Sequence, residues 1–227
     1  MDRMEKLLME FTEATGVSGA EGDIFELMKT HIGPVAEVSR DRLGSFIGRL
    51  KKGKDSPKVM LAAHMDEIGL MVSHFAGNFV KFNTLGGWWP PRLAGMPVKI
   101  ITRSGEVPGV VATRSPFLLE KDERDKMPRP KDMFIDVGLT GKKKPGSLGI
   151  RPGDPVVPVF PFTVLKAAKT YMAKAWDDRL GCAVLVEVMQ KLSKLSVPCS
   201  VYAVGTVQEE VGIRGAVTSG HAVAPDV

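Results

Sequence analysis

Cysteine is scarce in this chain: Cys182 and Cys199 are the only two among 227 residues, too few for a disulfide framework and too far apart for a thiolate metal knuckle. Long hydrophobic runs are also missing. Val59 to Ala63 is typical of the longest, far short of the roughly 20 apolar residues of a membrane span. The opening Met1-Asp2-Arg3-Met4-Glu5-Lys6 mixes charges into an amphipathic pattern and does not read as a signal peptide. A cytoplasmic location is the default expectation. Aromatic residues are few, 7%, and none interleaves with the basic stretches at Lys51 to Lys54, Lys121 to Lys131 and Lys142 to Lys144. The net charge of +5 and pI near 9.2 therefore indicate solvated loops rather than a nucleic-acid surface, which needs stacking side chains or a reading module. What remains is ordinary for a soluble globular chain: 44% hydrophobic and 25% charged residues, enough for a sizeable core.

Hydrophobic periodicity divides the chain. Met4, Leu7, Leu8 and Phe11 recur at helical spacing, with Gly16 suited to end that helix. Ser18-Gly19-Ala20-Glu21 fits a capping box that opens a second helix to His31. Strands are expected at Val35 to Ser39, Phe46 to Leu50, Lys58 to Ala63 and Ile68 to Phe75. From about Asn78 to Val164 helical periodicity vanishes, and short β-type runs alternate with turn clusters such as Gly86-Gly87 and Pro152-Gly153-Asp154, which suggests a small barrel or sandwich. Leu180 to Leu192 then reads as a helix, Cys199 to Val207 as a central strand, and Gly212 to Val223 as a helix. The simplest organisation is an α/β domain, 1–72 and 166–227, interrupted by an inserted β domain at 73–165.

Three polar islands stand at strand ends or just before a helix, the edge where open α/β sheets bind ligands. Ala63-His64-Met65-Asp66-Glu67 follows an apolar strand, and residues two apart on an extended chain share a face, so Asp66 can reach the far ring nitrogen of His64. Trp176-Asp177-Asp178-Arg179 precedes a helix; its carboxylates are either N-caps, or one bridges two cations while Arg179 neutralises or positions the other. Thr206-Val207-Gln208-Glu209-Glu210 ends a buried strand, where two consecutive glutamates are costly unless paired, exposed or metal-bound. Taken singly, each island has a bland reading as polar surface.

Together and in this order they are specific. Ala-His-Met-Asp-Glu-Ile-Gly at 63–69, Leu-Gly-Gly-Trp at 85–88, Trp-Asp-Asp-Arg-Leu-Gly-Cys at 176–182 and Val-Gln-Glu-Glu-Val-Gly-Ile-Arg-Gly-Ala at 207–216 resemble the signatures of the tetrahedral, or glutamyl, aminopeptidases, a family of dinuclear metallopeptidases some of whose members carry an endoglucanase label. The resemblance runs end to end. It implies a three-layer α/β/α zinc-peptidase-like domain with a small PDZ-like β-barrel inserted for dimerisation and larger assembly. It implies two divalent metal ions per subunit, zinc or cobalt suiting a His-plus-carboxylate shell and magnesium or manganese left open. His64, Asp177 and Glu210 become metal ligands, Asp177 bridging. Glu209 becomes the general base, Asp66 orients His64, and the Asp177-Asp178 peptide is expected to be cis. A histidine common in the family is replaced by Phe117, at a position away from the metals. A further Asp and His of the family pattern are expected beyond Val227, so the chain reads as C-terminally incomplete; with only His64, Asp177 and Glu210 as ligands, it is expected by itself to hold its two metals weakly and to show little or no peptidase activity. His31, His74 and His221 are expected to be ordinary surface or core histidines.

The expected activity is removal of N-terminal residues from peptides by a homo-oligomeric enzyme. A glycosidase would need carboxyl groups about 5–9.5 Å apart across a bond, and only Trp88-Trp89 resembles a sugar platform. A metal-dependent deacylase is a closer competitor, and a non-enzymatic associating module a third.

Overall fold

The computed structural model describes residues 1–118, 120–121, 126–166 and 170–227; residues 122–125 of the basic stretch from Lys121 lie outside these. The chain forms two compact units, Met1–Glu67 with Pro161–Val227, and Ile68–Phe160. The division falls a few residues before the expected 73 and 165. Gly69–Ala76 is already a barrel strand, and Thr163–Leu165 pairs with Thr170–Met172 inside the first unit.

In the first unit, α1 (Arg3–Glu13) opens on a capping box: the Asp2 carboxylate accepts from Glu5 N and the Glu5 carboxylate from Asp2 N, both at 2.9 Å. It buries Leu7, Leu8 and Phe11. Helix α2 (Gly22–Ile32) buries Ile24, Phe25, Met28 and Ile32. The capping box expected at Ser18 to Glu21 does not form. Glu21 occupies the N-cap position but makes no side-chain bond to its own helix.

The sheet has four strands in the order β1 (Ala36–Arg40), β2 (Phe46–Leu50), β12 (Ser200–Thr206), β3 (Lys58–His64). Only β3 and β12 run parallel, in register from Ser200 beside Lys58 to Thr206 beside His64. Their C-terminal ends therefore coincide, which brings two distant polar islands together. Val201 and Ala203 of β12 pack into the core shared with α1, α2 and α3 (Trp176–Leu192). On the opposite face Val204 packs with Ile47 and with Val223 of α4 (Arg214–Val223). Alternation along one strand thus feeds two helical layers, an α/β/α sandwich. Each fully buried side chain such as Phe11, Ile24 or Met28 contributes about 1.5–3 kcal/mol through removal from water.

The second unit is a closed antiparallel barrel in the order β4 (Gly69–Ala76), β5 (Phe79–Leu85), β8 (Phe134–Asp136), β7 (Gly105–Ala112), β6 (Pro97–Thr102), β9 (Pro155–Pro158). Leu70, Val72, Val80, Phe82, Val98, Ile100, Val111, Ile135 and Val156 fill it. Closure leaves no open sheet edge. Trp88 packs against this core and donates from Nε1 to the carbonyls of Gly69 (3.0 Å) and Leu85 (3.1 Å). It is a structural side chain of the barrel, while Trp89 beside it is exposed. The remaining strands, β10 (Thr163–Leu165) and β11 (Thr170–Met172), form a hairpin in the first unit. No helix among the described residues is long and apolar enough to cross a membrane.

Candidate metal centre

β3 and β12 end side by side, so the residues after them share one rim of the sheet, and the start of α3 packs there too. His64 is the hub, with its side chain 10% exposed. Its Nε2 lies 2.8 Å from Asp177 Oδ1 and 3.8 Å from Glu209 Oε2. One potential ligand atom each from His64, Glu209 and Glu210 lie within 4.8 Å of one another. Asp177 and Glu210 both approach His64 despite their separation in sequence. The Asp177-Asp178 peptide is cis, as the resemblance implied.

Asp66 works differently from the sequence expectation. Its carboxylate stays 3.6 Å from His64 Nδ1, and its main-chain carbonyl receives that ring nitrogen at 3.0 Å. The carbonyl can only accept, so Nδ1 carries a proton, and Nε2 is the ring nitrogen that faces the carboxylates. The buried carboxylate instead accepts from Glu209 N (3.0 Å), Glu210 N (3.1 Å) and Ser18 Oγ (2.6 Å). It holds the backbone that displays both glutamates.

Asp178 and Arg179 part company in the same way. Asp178 accepts from His64 N (3.3 Å) and Gly181 N (3.0 Å). Arg179, fully buried, turns away to donate to the carbonyls of Phe11 (2.8 Å), Ala14 (3.0 Å) and Gly16 (3.0 Å). Its charge meets Glu67 at 3.6 Å, and Lys174 Nζ meets Glu67 at 2.6 Å. The guanidinium ties α3 to the loop after α1 and does not neutralise Asp178.

Local backbone explains the motif glycines. A Cβ at Gly215 would collide with the Val207 backbone, and one at Gly181 with the Asp178 carboxylate. Ala175, Gln208 and Ile213 hold φ of 54°, 55° and 56°. Such left-handed conformations cost non-glycine residues about 1–3 kcal/mol each and cluster at functional sites. Here they flank both carboxylate-bearing segments.

The electrostatics follow from crowding. Burial alone would lower the His64 pKa, but Asp66, Asp177 and Glu209 outweigh it and hold the imidazole up at about 9. Burial would raise Asp66, yet His64, Ser18 and the two backbone N–H groups pull it below the usual range. Glu210 is pushed up by burial, with Glu209, Asp66 and Asp177 adding and His64 opposing. The rim is rich in carboxylates and short of positive charge. One imidazole nitrogen with three carboxylates fits a divalent cation of borderline or hard character. Cys182 plays no such part: its thiol donates to the His64 carbonyl at 3.3 Å, and burial pushes it up to about 12.

The other histidines stay out of the cluster. His31 pairs with Glu10 at 2.9 Å, His74 lies in β4 beside Ser73, and His221 is exposed on α4. Sequence reading missed Ser18 and Glu21, which it spent on a helix cap, and the Glu67–Lys174–Arg179 network. Ser-Gly-Ala-Glu was a visible signal whose partners lie far away in the chain.

An α/β/α sandwich interrupted by a six-stranded barrel is the fold of the TET peptidases. The structure matches the TET aminopeptidase of the marine-sediment Thaumarchaeota archaeon SCGC AB-539-E09 with a TM-score of 0.95 and 41% identity, covering 100% of this chain and 65% of that one. It matches Pyrococcus horikoshii TET1 peptidase with a TM-score of 0.88 and 31% identity, over 98% and 66%. Escherichia coli FrvX is 36% identical over 225 residues, 98% of this chain and 62% of its own length. The family model of the M42 glutamyl aminopeptidases matches residues 44–227. The chain belongs to that family. It spans a little over three fifths of the curated relatives it matches, for example 62% of FrvX.

Proposed function

We propose that this chain carries the principal part of a dinuclear metallo-aminopeptidase centre that releases N-terminal residues from peptides. The observation behind the reading is the convergence of His64, Asp177, Glu209 and Glu210 where two parallel strands end together. His64 Nε2, Asp177 and Glu210 would hold two divalent cations, zinc or cobalt, with Asp177 shared between them. Bound cations supply Lewis acidity, polarising the scissile carbonyl and acidifying the attacking water.

The chain's own residues do the rest. Glu209, its side chain 35% exposed, is open enough to meet water. It takes the proton from the attacking water and returns it to the leaving amine. The Asp66 carbonyl keeps the Nδ1 proton of His64 in place, and the Asp66 carboxylate fixes the Glu209–Glu210 backbone. A glycosidase is disfavoured because Trp88 is committed to the barrel core.

We further propose that the barrel unit associates copies of the chain into a homo-oligomer. P. horikoshii TET1 assembles into a tetrahedron or an octahedral shell, and Phe79, Val110 and Phe160 expose apolar surface on the barrel unit here. Analytical ultracentrifugation checks this; a strict monomer at micromolar concentration would refute it.

The test of function, made on the full-length protein, is release of product from a panel of aminoacyl anilides, before and after chelation and after adding zinc or cobalt back. Chelator-sensitive release restored by metal is expected. Release indifferent to chelator, or confined to N-acylated amino acids or carboxymethylcellulose, would sink the reading.

A further inference from the structure

Three consecutive backbone N–H groups lead into the candidate centre, and each is received by a buried carboxylate. Gln208 N donates to Glu21 Oε1 at 3.0 Å, Glu209 N to Asp66 Oδ1 at 3.0 Å and Glu210 N to Asp66 Oδ2 at 3.1 Å. Asp66 belongs to the signature that marks the family. Glu21 does not, and it approaches from α2, 187 residues away from Gln208 in sequence.

Glu21 is in the wrong place for a plain helix start. As the N-cap residue of α2 it could receive an N–H of its own first turn while keeping one side in water. It makes no such bond. Its carboxylate is instead turned inward, 7% exposed, where Oε1 also receives Gly19 N at 2.8 Å. Burying a carboxylate is costly unless its hydrogen bonds are supplied. Here that cost is met by two backbone N–H groups, the local one of Gly19 and the distant one of Gln208, and Gln208 is left-handed, with φ 55°. A non-glycine residue rarely persists there unless its surroundings hold it. The turn at Gln208 sets the direction in which the chain leaves β12, and so where the Glu209 and Glu210 side chains point.

We propose that Glu21 is a positioning residue of the metal centre, acting through Gln208 to aim Glu209 and Glu210. With Asp66 it forms a two-carboxylate cradle for three successive N–H groups. Without the Glu21 acceptor, Gln208 N loses its partner and the left-handed turn loses one of the bonds that anchor it. The functional consequence rests on the reading of the site as a metallo-aminopeptidase; the structural one, a correctly formed metal site, does not.

The experiment compares Glu21→Ala, Glu21→Gln and Glu21→Asp with the wild-type protein. Each is measured for zinc affinity by chelator competition, for kcat and KM on an aminoacyl anilide, and for thermal midpoint. Loss of an outer-layer hydrogen bond at a metal site typically costs about 10- to 100-fold in affinity or activity. Glu21→Ala is expected to lose about that much in zinc affinity and in kcat, with KM changed by less than about threefold. Glu21→Gln keeps an oxygen acceptor in the same place and should recover most of both. Glu21→Asp keeps the charge but retracts the oxygen by one methylene, and should resemble the alanine variant.

If the alanine variant does not fold, the glutamine and aspartate variants carry the comparison alone. Equal losses in those two would overturn the proposal. So would variants that lower only the thermal midpoint while zinc affinity and kcat stay within about twofold of wild type. Wild-type protein that binds zinc but releases no amino acid refutes the aminopeptidase reading, and the affinity series still decides the role of Glu21. Full-length wild-type protein that binds no zinc refutes both.

Discussion

Replacing Asp66 by asparagine is the sharpest test of how the centre is built, because the change keeps shape and volume and alters only hydrogen bonding and charge. Both oxygens are in use: Oδ1 receives Glu209 N, and Oδ2 receives Glu210 N and the Ser18 hydroxyl. Asparagine retains one acceptor oxygen. In either flip its amide NH₂ faces a backbone N–H that has nothing else to donate to. One buried donor left unsatisfied costs about 1–3 kcal/mol, and losing the charge on the remaining bonds adds about 1 kcal/mol more. The expected destabilisation is about 2–4 kcal/mol, a fall of roughly 5–15 °C in thermal midpoint for a unit of this size. The sign with pH is fixed by the direction of the shift. Asp66 is depressed in the folded state, so its stabilisation is present above the ordinary carboxylate range and lost as pH falls through its lower folded value. Melts of metal-free protein followed by circular dichroism should show the full gap between wild type and variant near pH 7. That gap should narrow below about pH 4. A variant melting within about 1 °C of wild type at pH 7, with unchanged metal affinity, would refute the cradle.

Glu209→Gln should abolish turnover, by at least about 100-fold in kcat, while metal content by mass spectrometry stays nearly intact, because glutamine keeps the shape but cannot take a proton. Near-normal kcat would move the general base elsewhere. In metal-free protein, His64 held up at about 9 adds stability that is complete below its unfolded value of about 6.5. That stability is lost as pH rises through 9, so His64→Gln should flatten the alkaline limb of the melting-temperature profile; an unchanged limb would assign it to another group. Arg179→Met should destabilise by about 3–5 kcal/mol, since the buried guanidinium satisfies three carbonyls and faces Glu67. A melting temperature unchanged by that substitution would show the network to be dispensable.

Much of the architecture was legible in local pattern. Apolar runs marked β2, β3 and β12 to within a residue or two: β2 and β12 are buried on both faces and so must be apolar, and β3 is an apolar edge strand that ends where polarity begins. The loss of helical periodicity between Asn78 and Val164 announced the barrel, and the three polar islands announced the centre. His64, Asp177, Glu209 and Glu210 were legible for the same reason: each lies in a short, chemically unusual segment.

Tertiary structure decided what those segments do to one another. The parallel register of β3 and β12 brings His64 beside Thr206, and no local preference encodes which strands become neighbours. Ser18 and Glu21 satisfy the local rule for a capping box, yet their side chains go to Asp66 and Gln208, because a buried N–H or carboxylate takes the partner that the packed fold supplies. Arg179 sits among carboxylates in sequence but spends its donors on the carbonyls of Phe11, Ala14 and Gly16. Sequence alone picked out the groups of the candidate centre, since chemical character is a property of side-chain type. The aiming of those groups is a property of long-range hydrogen bonds, and these exist only once the chain has closed on itself.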